Sequence, residues 1–214
     1  MEVFSHLPPG IVPALVSEAV DAGSDILDLG CGAGRLSRAL AALGHRVVAV
    51  DVCAEMLACL VGVPGVSPVE ADIAGLELSR RFGGVVLASY LVNHPDAPSF
   101  LATCSRHVDA RGAVLVQRYD PGWAREAAAD AATVGDVTVS LDGFSLSADP
   151  CCSGRERFGA IVTYTIGDRS WAQPICALIV DDADLEQLAA AAGLEIDRWL
   201  DEHRTWARLV PSPA

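Results

Sequence analysis

"DILDLGCGAGRL", residues 25–36, sets Gly30, Gly32 and Gly34 at alternate positions between an apolar run and a stretch with helical periodicity. A chain gives up side chains in this way where its backbone turns tightly or lets another group come close. The run "DILDLG" (25–30) reads as a short buried strand. "GRLSRALAAL" (34–43), with Leu36, Leu40 and Leu43 at i, i+4 and i+7, reads as an amphipathic helix. Gly44 follows, where a helix end favours a left-handed residue. Strand, glycine turn and helix together suit a nucleotide, because the turn lets the ligand approach and the helix start offers free N–H groups.

The same alternation continues outward. Helices are expected at "IVPALVSEAV" (11–20), "AEMLACLV" (54–61) and "DAPSFLATCSRHV" (96–108), the last with Asp96 as its cap. Strands are expected at "HRVVAVD" (45–51), "GVSPVEAD" (65–72), "FGGVVLASYL" (82–91) and "RGAVLVQRY" (111–119). Continuous Val, Ile and Leu runs fit strands buried on both faces. The pattern then changes to strand-like stretches at 134–147, 156–167 and 173–180, with a loop "ADPCCSGR" between the first two and "DGF" (142–144) as a tighter turn. A helix at 181–193 follows, with acids in its first turn, and an antiparallel pair closes the chain. The expected fold is a three-layer α/β sandwich, with a mostly parallel seven-stranded sheet and an antiparallel last strand. A small antiparallel β insertion follows strand five, in a single domain over 1–214 whose residues 134–180 form a cap or pocket wall.

The glycine spacing decides between nucleotides. A dinucleotide fingerprint needs Gly or Ala at its sixth position, and counting from Gly30 or Gly32 puts Arg35 or Ser37 there. No Gly-Lys-Ser/Thr follows, so a P-loop also fails. Asp28-Leu29-Gly30-Cys31-Gly32-Ala33-Gly34, read as acid-x-Gly-x-Gly-x-Gly, resembles the first motif of the class I S-adenosylmethionine-dependent methyltransferases at every position. The resemblance implies S-adenosylmethionine as cofactor, with Asp28 and the loop Gly30, Cys31, Gly32 and Gly34 at its methionine end. It also implies Asp51, with Val52 beside it, on the two ribose hydroxyls, where a carboxylate accepts two hydrogen bonds at once. Met56 and Ile73 are implied beside the adenine, and Asp72 at its amino group. "LASYLVNH", with Ser89, resembles the fourth motif, which lines the point of transfer. It lacks the Asn-Pro-Pro-Tyr of amino-group methylases of DNA, and no magnesium-binding acid stands there, so no metal is expected.

Methyl transfer from a sulfonium asks for alignment, exclusion of water and, for some acceptors, a base. Candidates lie at the carboxyl ends of the fourth and fifth strands, where open parallel sheets bind ligands. His94 is the expected general base, because its ordinary pKa lies near neutrality, with Tyr90 beside it. Asn93, Arg118, Tyr119 and Trp171 are the candidate acceptor-binding residues, and Trp123 could add to an aromatic pocket. Gln117 and Tyr119 share one face of their strand and Arg118 takes the other. His6 is placed on an N-terminal lid.

Composition bounds the partners. The net charge is −13, with 28 acidic residues against 15 basic ones, all arginine, which disfavours nucleic acid and anionic membranes. The apolar fraction of 51% supplies a core, and no stretch reaches the roughly 18 apolar residues of a spanning helix. Glu2 stands where a secretion signal carries basic residues, so a cytoplasmic location is expected. Seven cysteines without a Cys-x-x-Cys pair read as reduced thiols. The expected activity is methylation of a carbon, nitrogen or oxygen nucleophile on a small molecule, aromatic or indole-like, of secondary metabolism. A protein or peptide methyltransferase and a non-catalytic cofactor-binding module are the alternatives.

Overall fold

A computed structural model describes residues 7–126, 130–134, 137–148 and 155–213 of the chain. His6 and the Cys151–Cys152 pair lie outside the described residues. Cys31, Cys53, Cys59, Cys104 and Cys176 are free thiols. Among the described residues no helix is long and apolar enough to cross a membrane.

Seven strands form the main sheet: β1 (Asp25–Leu29), β2 (Arg46–Asp51), β3 (Val66–Glu70), β4 (Phe82–Leu87), β5 (Val108–Gln117), β10 (Leu194–Trp199) and β11 (Trp206–Pro211). Their order is β10-β11-β5-β4-β1-β2-β3. β5, β4, β1, β2 and β3 run parallel, and β11 is antiparallel to both of its neighbours. A second, four-stranded antiparallel sheet follows in the chain: β6 (Asp130–Val134), β7 (Val137–Ala148), β8 (Glu156–Ile166) and β9 (Arg169–Leu178). β6 is an extra strand that the sequence reading did not separate. "DGF" lies within β7 at an irregularity of register between Asp142 and Ser145, not at a hairpin.

Alternation along the central strands produces the layers. Ile26 faces α1 (Val12–Ala19) and α2 (Arg35–Ala42), in a cluster with Val16, Leu36, Leu40, Val86 and Leu115. Leu27 and Leu29 face the other way, into a cluster with Phe100 and Leu101 of α4 (Ala97–His107) and with Leu185 and Leu188 of α6 (Asp182–Ala191). Asp181 caps α6 in a capping box with Asp184. Asp96 makes no side-chain cap on α4. The short α3 (Ala54–Leu57) passes into a 3-10 turn at Ala58–Leu60.

The chain leaves β1 toward β2 on one side, and β4 pairs on the other side of β1. The crevice at this change of direction opens at the carboxyl ends of β1 and β4. β4 ends four residues short of its apolar run. Ser89 and Tyr90 have φ of 54° and 62°, which breaks the strand and opens a 3-10 turn at Leu91–Asn93. The run stays apolar because this turn is itself buried: Val92 is fully covered.

Two candidate acceptor-binding residues hold the fold together instead. Asn93 is 1% exposed, donates Nδ2 to the Leu178 carbonyl at 2.8 Å and accepts from the Tyr119 amide at 3.2 Å. It thus ties the turn after β4 to β9 and to the end of β5. Arg118 is 2% exposed and points away from the crevice. Its guanidinium donates to the carbonyls of Arg204 and Val180, pairs with Asp182 and lies 4.4 Å from the Trp199 ring centre. Two interior carbonyls depend on that one cation. Arg118→Met is expected to lower unfolding stability by about 3 kcal/mol through the lost partners, measured by urea titration of the circular dichroism.

Candidate active site

The loop after β1 is built on left-handed backbone. Gly30, Gly32 and Gly34 have φ of 69°, 53° and 82°. At Gly34 a Cβ would stand 2.1 Å from Leu60 Cδ2, so the 3-10 turn packs directly on the backbone. At Gly32 a Cβ would meet nothing within 4 Å, because this residue opens onto a cleft. Asp51, ending β2, holds the loop from the side. Its Oδ2 accepts from the Gly32 amide at 2.8 Å and its Oδ1 from the Cys53 amide at 2.9 Å.

The cleft has a volume of about 570 Å³. Gly30, Gly32, Cys31 and Met56 line its floor, Ser89, Tyr90, Gln117 and Tyr119 line the ends of β4 and β5, and Val162, Tyr164, Gln173 and Ile175 form the wall from the second sheet. Leu7 and Pro8 cross its edge, and Arg35 is its one charged lining residue among those described. Arg35 Nη1 donates to the Pro8 carbonyl at 2.9 Å. The Ser89 amide donates to Gln117 Oε1 at 2.9 Å, which fastens the ends of the two strands together. Tyr90 stacks on Tyr119 with ring centres 3.8 Å apart and an 8° interplanar angle. Tyr119 continues to Trp123 at 5.7 Å, in the short helix α5 (Pro121–Glu126), and meets Phe158 edge-on at 5.0 Å.

Burial sets the charge states. Asp28 is 2% exposed, accepts from Ser37 Oγ at 2.5 Å, and burial raises its pKa from 3.8 to about 6 against the pull of that bond. Burial first, and then the charges of Asp28 and Asp51, push the Cys31 thiol far up, so it stays protonated and is no nucleophile. Burial also raises Tyr90, Tyr119 and Tyr164, which keeps their hydroxyls neutral.

Residues 26–112 match the family described as "methyltransferase domain". The match covers less than half of the chain, and within it residues 28–34 carry the glycine motif that resembles the class I S-adenosylmethionine-dependent methyltransferases. It is 33% identical over 141 residues to a "Cypemycin N-terminal methyltransferase" from Streptomyces sp, covering 62% of this chain and 58% of that relative. It is 30% identical over 109 residues to a "Ubiquinone biosynthesis O-methyltransferase" from Xanthomonas oryzae pv. oryzae, covering 47% and 46%. The chain thus spans about half the length of the curated relatives it matches. Its fold is shared by the CcbJ methyltransferase of Streptomyces caelestis, with TM-score 0.73 at 21% identity over 96% of this chain and 91% of that one. The same holds for CalS10 of Micromonospora echinaspora, with TM-score 0.69 at 20% identity over 95% and 90%.

S-adenosylmethionine is the cofactor that this resemblance implies, and the residues present fit it. Gly32 leaves open space where a ligand approaches the backbone, and Asp51 spends two of its roughly four acceptor positions on amides, leaving two for a pair of hydroxyls. The structure gathers Gly30, Cys31, Gly32, Met56, Ser89, Tyr90 and Tyr119 around one cleft. It separates others from it. Asp28 lies beneath the loop, bonded to α2, so it braces the glycines from below. Gly34 is covered by Leu60, Ile73 is 7% exposed with its carbonyl bonded by Thr103, and Val52 is 65% exposed beside Asp51. Asp72 caps its own 3-10 turn by accepting from the Ala74 amide.

His94, the expected base, stands outside the cleft lining, with its side chain 50% exposed, Nδ1 accepting from the Asp96 amide and its ring on Phe100. Trp171 stands opposite Tyr164 in the β8–β9 pairing but beyond the lining, with Arg169 over its ring. Gln117 and Tyr119 enter the cleft while Arg118 turns away, as period-2 alternation requires. Arg35, Tyr164, Gln173 and the edge residues Leu7 and Pro8 are the lining that sequence reasoning missed. Nothing local marks Tyr164 and Gln173, since the second sheet reaches the loop only through tertiary packing, whereas Arg35 directly follows the third glycine.

Asp28 links the loop to pH. Its folded pKa of about 6 lies above 3.8, so its stabilising contribution is complete below 3.8 and is lost as pH rises through 6. Asp28→Asn should remove this dependence, gaining about 2 kcal/mol relative to the native protein between pH 4 and pH 8 in urea unfolding. Gly34→Ala, with φ at 82° and Leu60 in the way, should cost about 3 kcal/mol and abolish S-adenosylhomocysteine binding by calorimetry.

Proposed function

We propose that the protein transfers the methyl group of S-adenosylmethionine to the neutral amine of a small polar molecule held between the glycine loop and the second sheet. One observation carries this reading: the acceptor side of the cleft is lined by uncharged hydrogen-bonding and aromatic groups, Tyr90, Gln117, Tyr119, Tyr164 and Gln173, with no histidine or carboxylate among the described lining residues. A hydroxyl acceptor calls for a base to take its proton, whereas a neutral amine attacks with its own lone pair and releases the proton afterwards. The cofactor supplies a methyl group already activated on sulfur, so the protein's part is alignment and exclusion of water. Neutral tyrosine hydroxyls and glutamine carbonyls accept N–H bonds and orient the lone pair. In this reading β6–β9 act as the wall that selects the acceptor.

The volume supports a small acceptor, because about 570 Å³ must hold cofactor and acceptor together. Similarity points the same way. CalS10 is described as an amino pentose methyltransferase, KedS8 as a sugar N-methyltransferase and MtfA as a glycopeptide N-methyltransferase. An amino sugar is therefore the preferred acceptor, and a place in secondary metabolism follows. The peptide reading keeps support from the relative described as an N-terminal methyltransferase, and shares the same amine chemistry. An indole-like acceptor loses its basis, since Trp123 and Trp171 stand outside the lining.

Incubation with labelled S-adenosylmethionine and a panel of amino sugars, short peptides with free amino termini, and phenols tests this. Label on amines is the expected result, and label on phenols alone overturns it. On the best acceptor Tyr164→Phe should lower kcat/KM about tenfold, while His94→Ala should stay within about threefold of native.

A further inference from the structure

Arg35 follows the third glycine of the loop and is the cleft's one charged lining residue among those described. It is half-buried, and among the described residues its one hydrogen bond goes to the Pro8 carbonyl and it has no ion pair. An acid lies close by, but Asp28 accepts from the Ser37 hydroxyl and sits under the loop. The guanidinium is therefore held in position from one side and left uncompensated on the cleft side. Leaving a cation half-buried without an anion is costly unless a ligand supplies one. The protein as a whole carries a net charge of −13, so an anionic group entering this cleft needs a local cation.

We infer that Arg35 is the carboxylate-binding residue of the cofactor site: its guanidinium, fixed by the Pro8 carbonyl, takes the carboxylate at the amino-acid end of S-adenosylmethionine. The inference rests on the cofactor assignment and adds a residue that the glycine and acid motif does not contain. Position favours it. Arg35 lines the cleft together with Gly30, Gly32 and Ala33, so its charge sits beside the glycine loop, which the resemblance places at the methionine end of the cofactor. A guanidinium presents its N–H groups in a planar fork that matches a carboxylate, which a lysine does not reproduce. Pro8 links the same arginine to the chain that edges the cleft, so carboxylate binding and the placement of residues 7–9 share one anchor.

The test compares two ligands by isothermal titration: S-adenosylhomocysteine and its decarboxylated analogue S-adenosyl-3-thiopropylamine, which keeps the nucleoside, the thioether and the amine. In the native protein the analogue should bind about 30-fold more weakly, as loss of a charge-assisted pair requires. In Arg35→Met, which keeps the apolar stem, S-adenosylhomocysteine should weaken by a similar factor while the analogue changes less than twofold. Arg35→Lys should recover part of the loss. Unchanged binding of the analogue also shows that the variant is folded. Equal weakening of both ligands assigns Arg35 a structural role and overturns the inference, as does unchanged binding of both. Failure of the native protein to bind either ligand would instead remove the cofactor assignment.

Discussion

The carboxylate of Asp51 accepts hydrogen bonds from the Gly32 and Cys53 amides, and through them the end of β2 holds the glycine loop in its left-handed path. Everything that binds in this protein depends on that path. Left-handed backbone is open to glycine at little cost and to other residues only with strain. The loop pays for its shape in packing: Leu60 covers Gly34 so closely that no side chain fits there. Asp28 completes the support from below through Ser37 on α2. Two acids thus brace one loop from two directions, Asp28 from below and Asp51 from the side.

The second sheet walls one side of the cleft beside the glycine loop. Its inner face carries Leu141, Ala160 and Val162 onto Trp123, and Phe158 joins Ala124 and Ile179 in the adjoining cluster. Rings of Tyr90, Tyr119, Trp123 and Phe158 connect the turn after β4 to β8. Stacked and edge-on aromatic contacts of this kind add stability beyond simple burial. Asn93 bonds the same turn to β9 and to the end of β5. The wall of the cleft is therefore fastened to its floor by covered aromatic and amide contacts.

Charge is distributed with the same economy. The surface is acidic and the cleft nearly neutral, with its tyrosines kept in the hydroxyl form by burial. Such a lining suits the polar uncharged acceptor proposed above. Arg118, the other well-placed arginine near the ends of the strands, is spent on interior carbonyls and Asp182. Arg35 is left as the cation that a ligand can meet.

Local sequence determined the main sheet, the glycine loop and the acid that ends β2, because their signals are contiguous: apolar runs of strand length, glycines at alternate positions, an acid closing the next strand. Alternation also told Gln117 and Tyr119 from Arg118. Where a strand ends was less legible. The apolar run through Leu91 and Val92 continues past the left-handed Ser89 and Tyr90, because burial outlasts the strand. The roles of Asn93, His94 and Arg118 were decided only by tertiary structure. Residue type suggests acceptor binding for Asn93 and an anion site for Arg118, but their nearest partners come from distant elements: Leu178 for Asn93, Val180 and Arg204 for Arg118. His94, by contrast, is turned outward by its own loop, toward Asp96 and Phe100. The acceptor wall is the extreme case. Tyr164 and Gln173 become site residues only because a sheet more than a hundred residues further along the chain packs over the loop, and no local pattern encodes that distance.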